Sequence, residues 1–351
     1  MKDLIESVGI TADLNVLGTS SYDIAIVHWA RPEIIRRVLE HSPEAHLGVL
    51  NPGYLGYPRS YIEEADPEVT FQVLDSVVAN VDFFIVTGIM WRDMLLPFGR
   101  RVYETIDYIT DAEDRPLKKH SRTHDLVIGY HGNDLHYAED FFPHGAAALH
   151  RLASEHDFRL KVVVRNPEKQ PVIDGVRTEL IAWELESYER HLQSFDIGVC
   201  PVFSSLDQLI NPFTYIRNPN RVNTLLAYGI PSVTSPVVQS CHDLQHGETT
   251  LFAVTEAGWY EALKQLIVQP ELRNRIGHRG RAMVEQRFSS KVAADRFIAM
   301  LEEEIIKPLV PKPGFERMRE ERPSTWTTVY SFARRRLTSL VSEVGAREIF
   351  Q

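Results

Sequence analysis

Short apolar runs alternate along the chain with segments of helical periodicity. Asp23–His28 (DIAIVH), His46–Leu50 (HLGVL), Phe83–Thr87 (FFIVT) and Val102–Ile109 (VYETIDYI) are runs of strand length. Pro32–Leu39 and Thr70–Asn80 space their apolar residues three and four apart, which predicts helices. Strand, helix and strand in this rhythm predict a parallel sheet covered on both faces. Asp111–His124 (DAEDRPLKKHSRTH) interrupts the rhythm. It is polar, charged and broken by proline, and reads as a linker.

The rhythm restarts with a strand over Asp125–Tyr130 (DLVIGY). A helix over His144–Glu155, a strand over Arg159–Val164, a helix over Ser187–Phe195 and a strand over Asp196–Cys200 follow. Then come a helix over Asn220–Tyr228 and strands over Pro231–Ser235 and Thr250–Val254. Helices over Glu256–Val268, Glu271–Phe288 and Ser290–Ile306 close the unit. The expectation is an α/β protein of two doubly wound, Rossmann-like parallel-sheet domains facing a cleft. Residues 1–110 form the first domain, 111–124 the linker and 125–306 the second. Ligands of such sheets sit beyond the carboxyl ends of the strands, so the site is expected between the domains. Past Ile306 the chain turns to proline and charge, and residues 307–351 form an extension. Its helix-like segment Tyr330–Val344 carries Arg334, Arg335 and Arg336. This reads as a solvated helix packing on the other domain, or as a basic face for peripheral membrane or partner contact.

A length of 351 residues exceeds what one core usually serves, which supports two domains. The net charge of −10 argues against a general nucleic-acid binder but leaves room for a local basic patch. Two cysteines, Cys200 and Cys241, with no CxxC pair, point away from a disulfide framework or zinc site and towards a reducing compartment. The opening MKDLIESVGITADLNVLG lacks a signal-peptide pattern, and no run reaches the roughly 20 apolar residues of a membrane span. A cytoplasmic location is the expectation.

Candidate chemistry gathers in two stretches. In GYHGNDLHYAED, Gly129–Asp140, a strand ends in Gly-x-x-Gly. Glycine lets backbone approach a ligand closely, and the amides that open the next helix suit an anion. His131, Asn133 and His136 add side chains that could meet phosphate or sugar hydroxyls, or serve structural hydrogen bonds. In NPNRVNTLLAYGIPSVTSP, Asn218–Pro236, a helix opens beside Arg217 and Arg221, four residues apart. A guanidinium fork at a helix start favours a diphosphate. Alone, the stretch also fits a capped helix with surface arginines.

The order of segments adds more. GYHGND is followed by SYERHLQSFDIGVCPVF, NRVNTLLAYGIPSVTSP, DLQHGETTLFAVTEAGWYEALKQLI and PELRNRIGHRGRAMVEQRFS. Together they resemble the C-terminal domain of the GT-B glycosyltransferases, specifically family 4 (glycosyl transferases group 1), over Asp125–Ile306. GRRVYETIDYITD, Gly99–Asp111, looks like the segment before the linker in some of these enzymes. The resemblance implies a GT-B fold in which the N-terminal domain holds the acceptor and the C-terminal domain the nucleotide-sugar donor. It implies that Arg221 contacts the donor diphosphate and that Gly132 and Asn133 approach phosphate and sugar. Trp183, at the end of Ile181–Glu184, would neighbour the nucleobase, and Asp243 would match a helix-start carboxylate, more in keeping with a cap than a ligand. The family glutamate that holds the ribose hydroxyls falls on Thr224 here, and its upstream partner, eight residues earlier, on Ile216. Thr224 or Asn223 would take over that hydrogen bonding.

The expected donor-binding set is therefore Gly132, Asn133, His136, Trp183, Arg217, Arg221, Asn223 and Thr224. His131 and Asp107 are the catalytic candidates. In the first domain, loops over His28–Glu33, Asn51–Tyr61 and Thr87–Asp93 supply His28, Tyr54 and Trp91 as acceptor-binding candidates, with ordinary loop packing as the alternative. No Asp-x-Asp metal motif is present, and no cofactor or metal is expected. The reading is a metal-independent glycosyltransferase, retaining rather than inverting, moving a sugar from a nucleotide-diphosphate sugar to a saccharide or lipid-linked acceptor. Bacterial surface polysaccharide synthesis is the setting the resemblance suggests. The competing readings are a non-catalytic GT-B domain that binds a sugar nucleotide or a partner glycosyltransferase, and a GT-B-fold epimerase, whose acidic and histidine constellation is not evident.

Overall fold

The computed structural model describes Ala12 and residues 21–28, 32–52, 77–202 and 217–313. Tyr54, Ile216 and the segment Tyr330–Val344 lie outside the described residues. The chain forms two compact units. One contains Val86–Leu95 and Tyr103–Glu303; the other contains Asn15–Ile85, Leu96–Val102 and the residues from Glu304 onward.

A four-stranded sheet runs in the order β1 (Ile24–His28), β2 (His46–Leu50), β3 (Phe83–Val86) and β4 (Arg101–Glu104). β1 pairs parallel with β2, and β2 with β3. Helix α1 (Pro32–His41) buries Ile35 and Val38, as its spacing requires. β4 stops at Glu104, five residues short of the strand expected over Val102–Ile109. Thr87–Asp93, expected as a loop, is largely helical: α2 spans Ile89–Leu95. Trp91 and Leu95 stand four apart and both turn inward. The Ile89 amide donates to Gln239 Oε1 at 2.9 Å, which satisfies one of the open amides at the start of α2.

The second sheet has six strands, all paired in parallel. They are β5 (Leu126–His131), β6 (Phe158–Val164), β7 (Thr178–Ala182), β8 (Ile197–Cys200), β9 (Ser232–Thr234) and β10 (Leu251–Phe252). Their order is β10-β9-β8-β5-β6-β7, so the chain winds outward from β5, returns, and winds outward the other way from β8. The carboxyl ends of β5 and β8 are thus the topological switch point.

Alternation along β5 shows why the sheet needs cover on both faces. Leu126, Ile128 and Tyr130 belong to one core with Phe141, Leu149, Leu160, Val162, Trp259 and Leu263. Val127 belongs to the opposite core with Val163, Phe195, Leu225, Leu226 and Val284. Successive side chains of a strand face opposite ways, and each such fully buried side chain contributes about 1.5–3 kcal/mol. The helices are α3 (Ala147–Ala153), α4 (Leu185–Gln193), α5 (Asn220–Leu226), α6 (Val238–Asp243), α7 (Glu256–Val268), α8 (Pro270–Arg287) and α9 (Ser290–Ile305). Thr255 caps α7 by accepting from the Gly258 amide at 3.1 Å.

The helix expected from His144 begins eight residues earlier. His136–Ala146 is a π-helix that runs into α3. Pro143 lies within it and cannot donate to the helical ladder. A Cβ on Gly145 would come within 2.0 Å of the Phe141 ring, so the wide turn packs an aromatic directly on glycine backbone. Insertions of this kind are frequent at functional sites.

Candidate active site

β5 ends at His131, and Gly132 follows with φ 144°, a conformation open to glycine and strained for other residues. This turn brings the backbone against Arg221, which α5 projects from its first turn. Arg221 Nη1–H donates to Tyr130 Oη at 3.2 Å, and Nη2–H donates to the Pro201 carbonyl at 2.6 Å. Pro201 follows β8 directly. The guanidinium therefore sits across the carboxyl ends of β5 and β8, at the switch point. Tyr130 Oη donates onward to the Asn133 carbonyl at 2.8 Å, which ties the glycine turn to the same cluster. Two of the five guanidinium N–H groups are engaged, so three have no partner among the described residues.

His131 is buried, with both ring nitrogens engaged. Nε2–H donates to the Arg221 carbonyl at 3.3 Å, since a carbonyl only accepts; Nδ1 then accepts from Tyr188 Oη at 2.7 Å. Burial first, and the Arg221 charge second, push its pKa down to about 3. The ring is neutral, and in this arrangement it orients Arg221 and Tyr188. Trp183 lies 6.0 Å from the Tyr188 ring and is 46% exposed, an aromatic face at the outer edge of the cluster. Trp183, Tyr188, His131 and Arg221 form one contiguous row.

His136 and Arg217 meet on Asp140. His136 Nδ1–H donates to Asp140 Oδ2 at 2.6 Å, and Arg217 Nη1–H donates to the same oxygen at 2.9 Å. Burial alone would raise the Asp140 pKa, but the hydrogen bond from His136 and the Arg217 charge hold it below the ordinary value. Burial lowers the pKa of His136. Arg217 also donates to the Val202 carbonyl at 2.5 Å. Its charge is thus balanced within the protein, whereas Arg221 bonds only neutral groups.

The other expected residues divide between neighbouring places. Asn133 Oδ1 accepts from the Leu135 amide at 2.9 Å. Asp134 accepts from the Arg165 and Asn166 amides at 2.8 and 3.1 Å, which fixes the turn to the end of β6. Asn223 lies on the opposite side of α5 from Arg221, as two residues at about 100° each require. It is 1% exposed and lines a separate polar cavity with Asp107, Asn218 and Thr87. Asn218 Nδ2 donates to the Asp107 carboxylate and to Thr87 Oγ1, the latter at 3.2 Å. Thr224 turns its hydroxyl back onto the Asn220 carbonyl at 2.8 Å. Trp91 is 8% exposed and part of the core, so a loop contact with a ligand is not what this ring makes. His28 stands exposed at the end of β1.

Asp243 departs from its expected helix-start position. It is the last residue of α6, and its carboxylate accepts from Gln239 Nε2 at 2.8 Å and Arg287 Nη2 at 3.1 Å. It anchors buried polar groups rather than capping a helix start. Tyr188 and Asp140, which hold His131 and Arg217, were not among the expected site residues. Tyr188 sits at intermediate burial on α4, and its hydroxyl required a partner.

No family model matches the sequence, and no curated protein matches it. Solved structures do. The chain is similar to sucrose-phosphate synthase from Thermosynechococcus elongatus at 13% identity and a TM-score of 0.59, covering 80% of this chain and 73% of that one. It is similar to HepE from Anabaena in complex with UDP-glucose at 9% identity and a TM-score of 0.58, covering 79% and 78%. A mutant of S. aureus TarM, in complex with fondaparinux, α-GlcNAc-glycerol and UDP, matches at 10% identity and a TM-score of 0.59; there the match covers 80% of this chain but 55% of that one. The fold is GT-B, as the segment order implied.

Proposed function

We propose that the chain is a glycosyltransferase that takes a sugar from a nucleotide-diphosphate sugar and passes it to a saccharide or lipid-linked acceptor. One observation carries this reading: Arg221, with three N–H groups unengaged among the described residues, stands against the Gly132 turn at the switch point of a parallel sheet. Crevices at such points take ligands, and a guanidinium fork beside glycine backbone suits a diphosphate. The similar structures of TarM and HepE are complexes with UDP and UDP-glucose, which agrees with a nucleotide donor.

In the proposed reaction the bond between the sugar and the diphosphate breaks, and negative charge grows on the leaving diphosphate. Arg221 and the amides of the Gly132–Asn133 turn neutralise that charge. This role needs no metal. His131 holds the Arg221 backbone in place, and Trp183 offers its exposed face to the nucleobase. Retention of configuration and a place in bacterial surface polysaccharide synthesis follow from the family resemblance. Peripheral contact with a membrane through the Arg334–Arg336 segment is part of the same proposal.

The test is thermal unfolding with UDP, GDP, dTDP, ADP and CMP, for the native chain and Arg221→Ala. A nucleotide at 100 times its dissociation constant adds about 2.7 kcal/mol to the folded state. Stabilisation by one nucleoside diphosphate, lost in the variant, is the expected result. Indifference to all five at millimolar concentration would refute the donor site. A second reading, a non-catalytic domain of the same fold, is favoured by Thr224, whose hydroxyl is spent on its own helix. Transfer or hydrolysis of the bound donor separates the two.

A further inference from the structure

Two histidines stand near the end of β5, and the structure gives them different chemistry. His131 has both ring nitrogens engaged, so it offers a ligand neither a lone pair nor a free N–H. His136 has one nitrogen engaged. Its Nδ1 lies 2.6 Å from Asp140 Oδ2 and 3.5 Å from Arg217 Nη1. The two contacts ask for opposite tautomers, because a carboxylate accepts and a guanidinium donates. The shorter one decides. Asp140 is held ionised by His136 and Arg217, so Nδ1 carries the hydrogen and Nε2 the lone pair. Nε2 has no partner among the described residues. It is not one of the sealed polar atoms that lack a partner, and the His136 side chain is 21% exposed.

An imidazole fixed in this way accepts a hydrogen at Nε2. It suits the O–H of a hydroxyl or of water, whereas a phosphate oxygen finds no donor there. Asp140 fixes the ring and stabilises the imidazolium that forms when a proton is taken up, as the carboxylate of a hydrolase triad does. Asp140 is itself tied down. It is 3% exposed, and Arg217, which donates to its Oδ2, also donates to the Val202 carbonyl. Arg221 donates to the carbonyl of the preceding residue, Pro201. The dyad and the Arg221 guanidinium are therefore anchored on adjacent carbonyls past the end of β8. The charged groups that bear on the His136 ring are Asp140, Arg221 and Arg217. Burial first, and the two arginines with it, hold the ring below the ordinary histidine value against the pull of Asp140. It is neutral at pH 7 and able to take a proton.

We propose that His136 is the general base of the transfer, with Nε2 receiving the hydrogen of the attacking hydroxyl, and that Asp140 is its positioning residue. The inference rests on the glycosyltransferase reading and adds to it the destination of the proton. The O–H bond of the acceptor breaks and its proton passes to Nε2. The oxygen bonds to the anomeric carbon, and the bond from that carbon to the diphosphate oxygen breaks, its electron pair leaving with the diphosphate. Imidazolium and leaving diphosphate arise together, one balanced by Asp140 and the other by Arg221. The imidazolium then gives its proton to solvent. Because the dyad shares its anchorage with Arg221, the hydroxyl is received on the side of the leaving diphosphate, the approach that retains configuration. Water in place of the acceptor gives hydrolysis of the donor by the same route.

The experiment follows nucleotide release by the full chain from UDP-glucose, GDP-mannose, dTDP-rhamnose and ADP-glucose. Each donor is tested with water alone and with glucose, galactose, mannose or N-acetylglucosamine added. The native chain is compared with His136→Asn, whose amide nitrogen stands near the place of Nδ1 and can keep the bond to Asp140, and with His136→Gly. At saturating donor, kcat is expected to fall about 100-fold or more in His136→Asn, with Tm little changed. The native rate is expected to fall about tenfold per pH unit below the pKa of His136, and His136→Asn to lose that dependence. Added imidazole is expected to restore release by His136→Gly, which a purely structural role for the ring does not allow. Equal kcat in the native chain and His136→Asn would overturn the proposal. So would a folded His136→Gly that imidazole does not rescue, or a native chain that binds a nucleotide in thermal unfolding yet releases it from none of the four donors. Each of these leaves the donor site standing. A chain that binds no nucleotide fails earlier, at Arg221, and takes this proposal with it.

Discussion

Replacing Gly132 by alanine tests the site at its most constrained point. At φ 144° an L-residue is strained by about 1–3 kcal/mol. The added Cβ would lie 3.1 Å from Arg221 Cδ, 3.2 Å from Arg221 Nη1 and 3.2 Å from Tyr130 Oη. None of these atoms retreats freely. Tyr130 is fully buried in the core against Tyr137, and Arg221 is held at its far end by the Pro201 carbonyl. A displacement of a few tenths of an ångström breaks the 3.2 Å bond between Arg221 and Tyr130, worth about 1 kcal/mol net. The two effects sum to about 3 kcal/mol, or roughly 6–12 °C in Tm for a unit of about 200 residues. Gly247→Ala is the control. Its φ is 78°, but nothing lies within 4 Å of a Cβ there, so only backbone strain is added. Tm of both variants is measured by calorimetry, with and without the stabilising nucleotide. Gly132→Ala is expected to lose more stability than Gly247→Ala and to lose the nucleotide effect, which Gly247→Ala keeps. If Gly132→Ala falls no further than the control, or keeps its nucleotide stabilisation, the close approach of turn and guanidinium is not what shapes the site.

Two more outcomes follow from the same geometry. Trp183→Ala is expected to weaken nucleotide binding by about 1–3 kcal/mol, as loss of a base-stacking face does, with little change in Tm because the ring is 46% exposed; titration calorimetry checks the first and unfolding the second. Stability is expected to fall as pH drops below about 6.5. Burial pushes the pKa of His120 down to about 4 and that of His131 to about 3, so both stay neutral while the unfolded chain takes up protons. The unfolded state then binds more protons than the native one, and each histidine costs about 1.4 kcal/mol per pH unit down to its folded pKa. His120→Gln, whose amide can replace the donor to the Gly229 carbonyl, is expected to remove one proton's share of that slope in urea unfolding between pH 6.5 and 4.5; an unchanged slope would refute the assignment.

The fold was legible where one physical rule dominates. Both faces of β5 are apolar because the sheet is covered twice, and DLVIGY carries that pattern without help from elsewhere. Gly132 and Arg221 were each legible, because a glycine turn after a strand and an arginine at a helix start have few uses, but only the structure brings them together. The helix from His136 was not, since HYAEDFFPHGA contains the proline and glycine that ordinarily mark a loop. Only the Phe141 ring, seated on Gly145, shows why the wide turn holds.

What escaped the sequence is the pairing that decides which charge is available. Arg217 and Arg221 read alike, four residues apart on one helix approach. Asp140, 77 residues before Arg217, separates their roles by neutralising one of them. Thr224 and Asn223, adjacent in sequence, likewise part: one turns its hydroxyl onto its own helix, and the other is buried with an amide oxygen that has no partner among the described residues. Local periodicity places a side chain on a face, but its chemistry depends on what the opposite element brings there. In this chain a binding site is distinguished from a row of polar residues by which donors and acceptors remain unspent after folding. By that measure Arg221 and His136 stand out among the described residues.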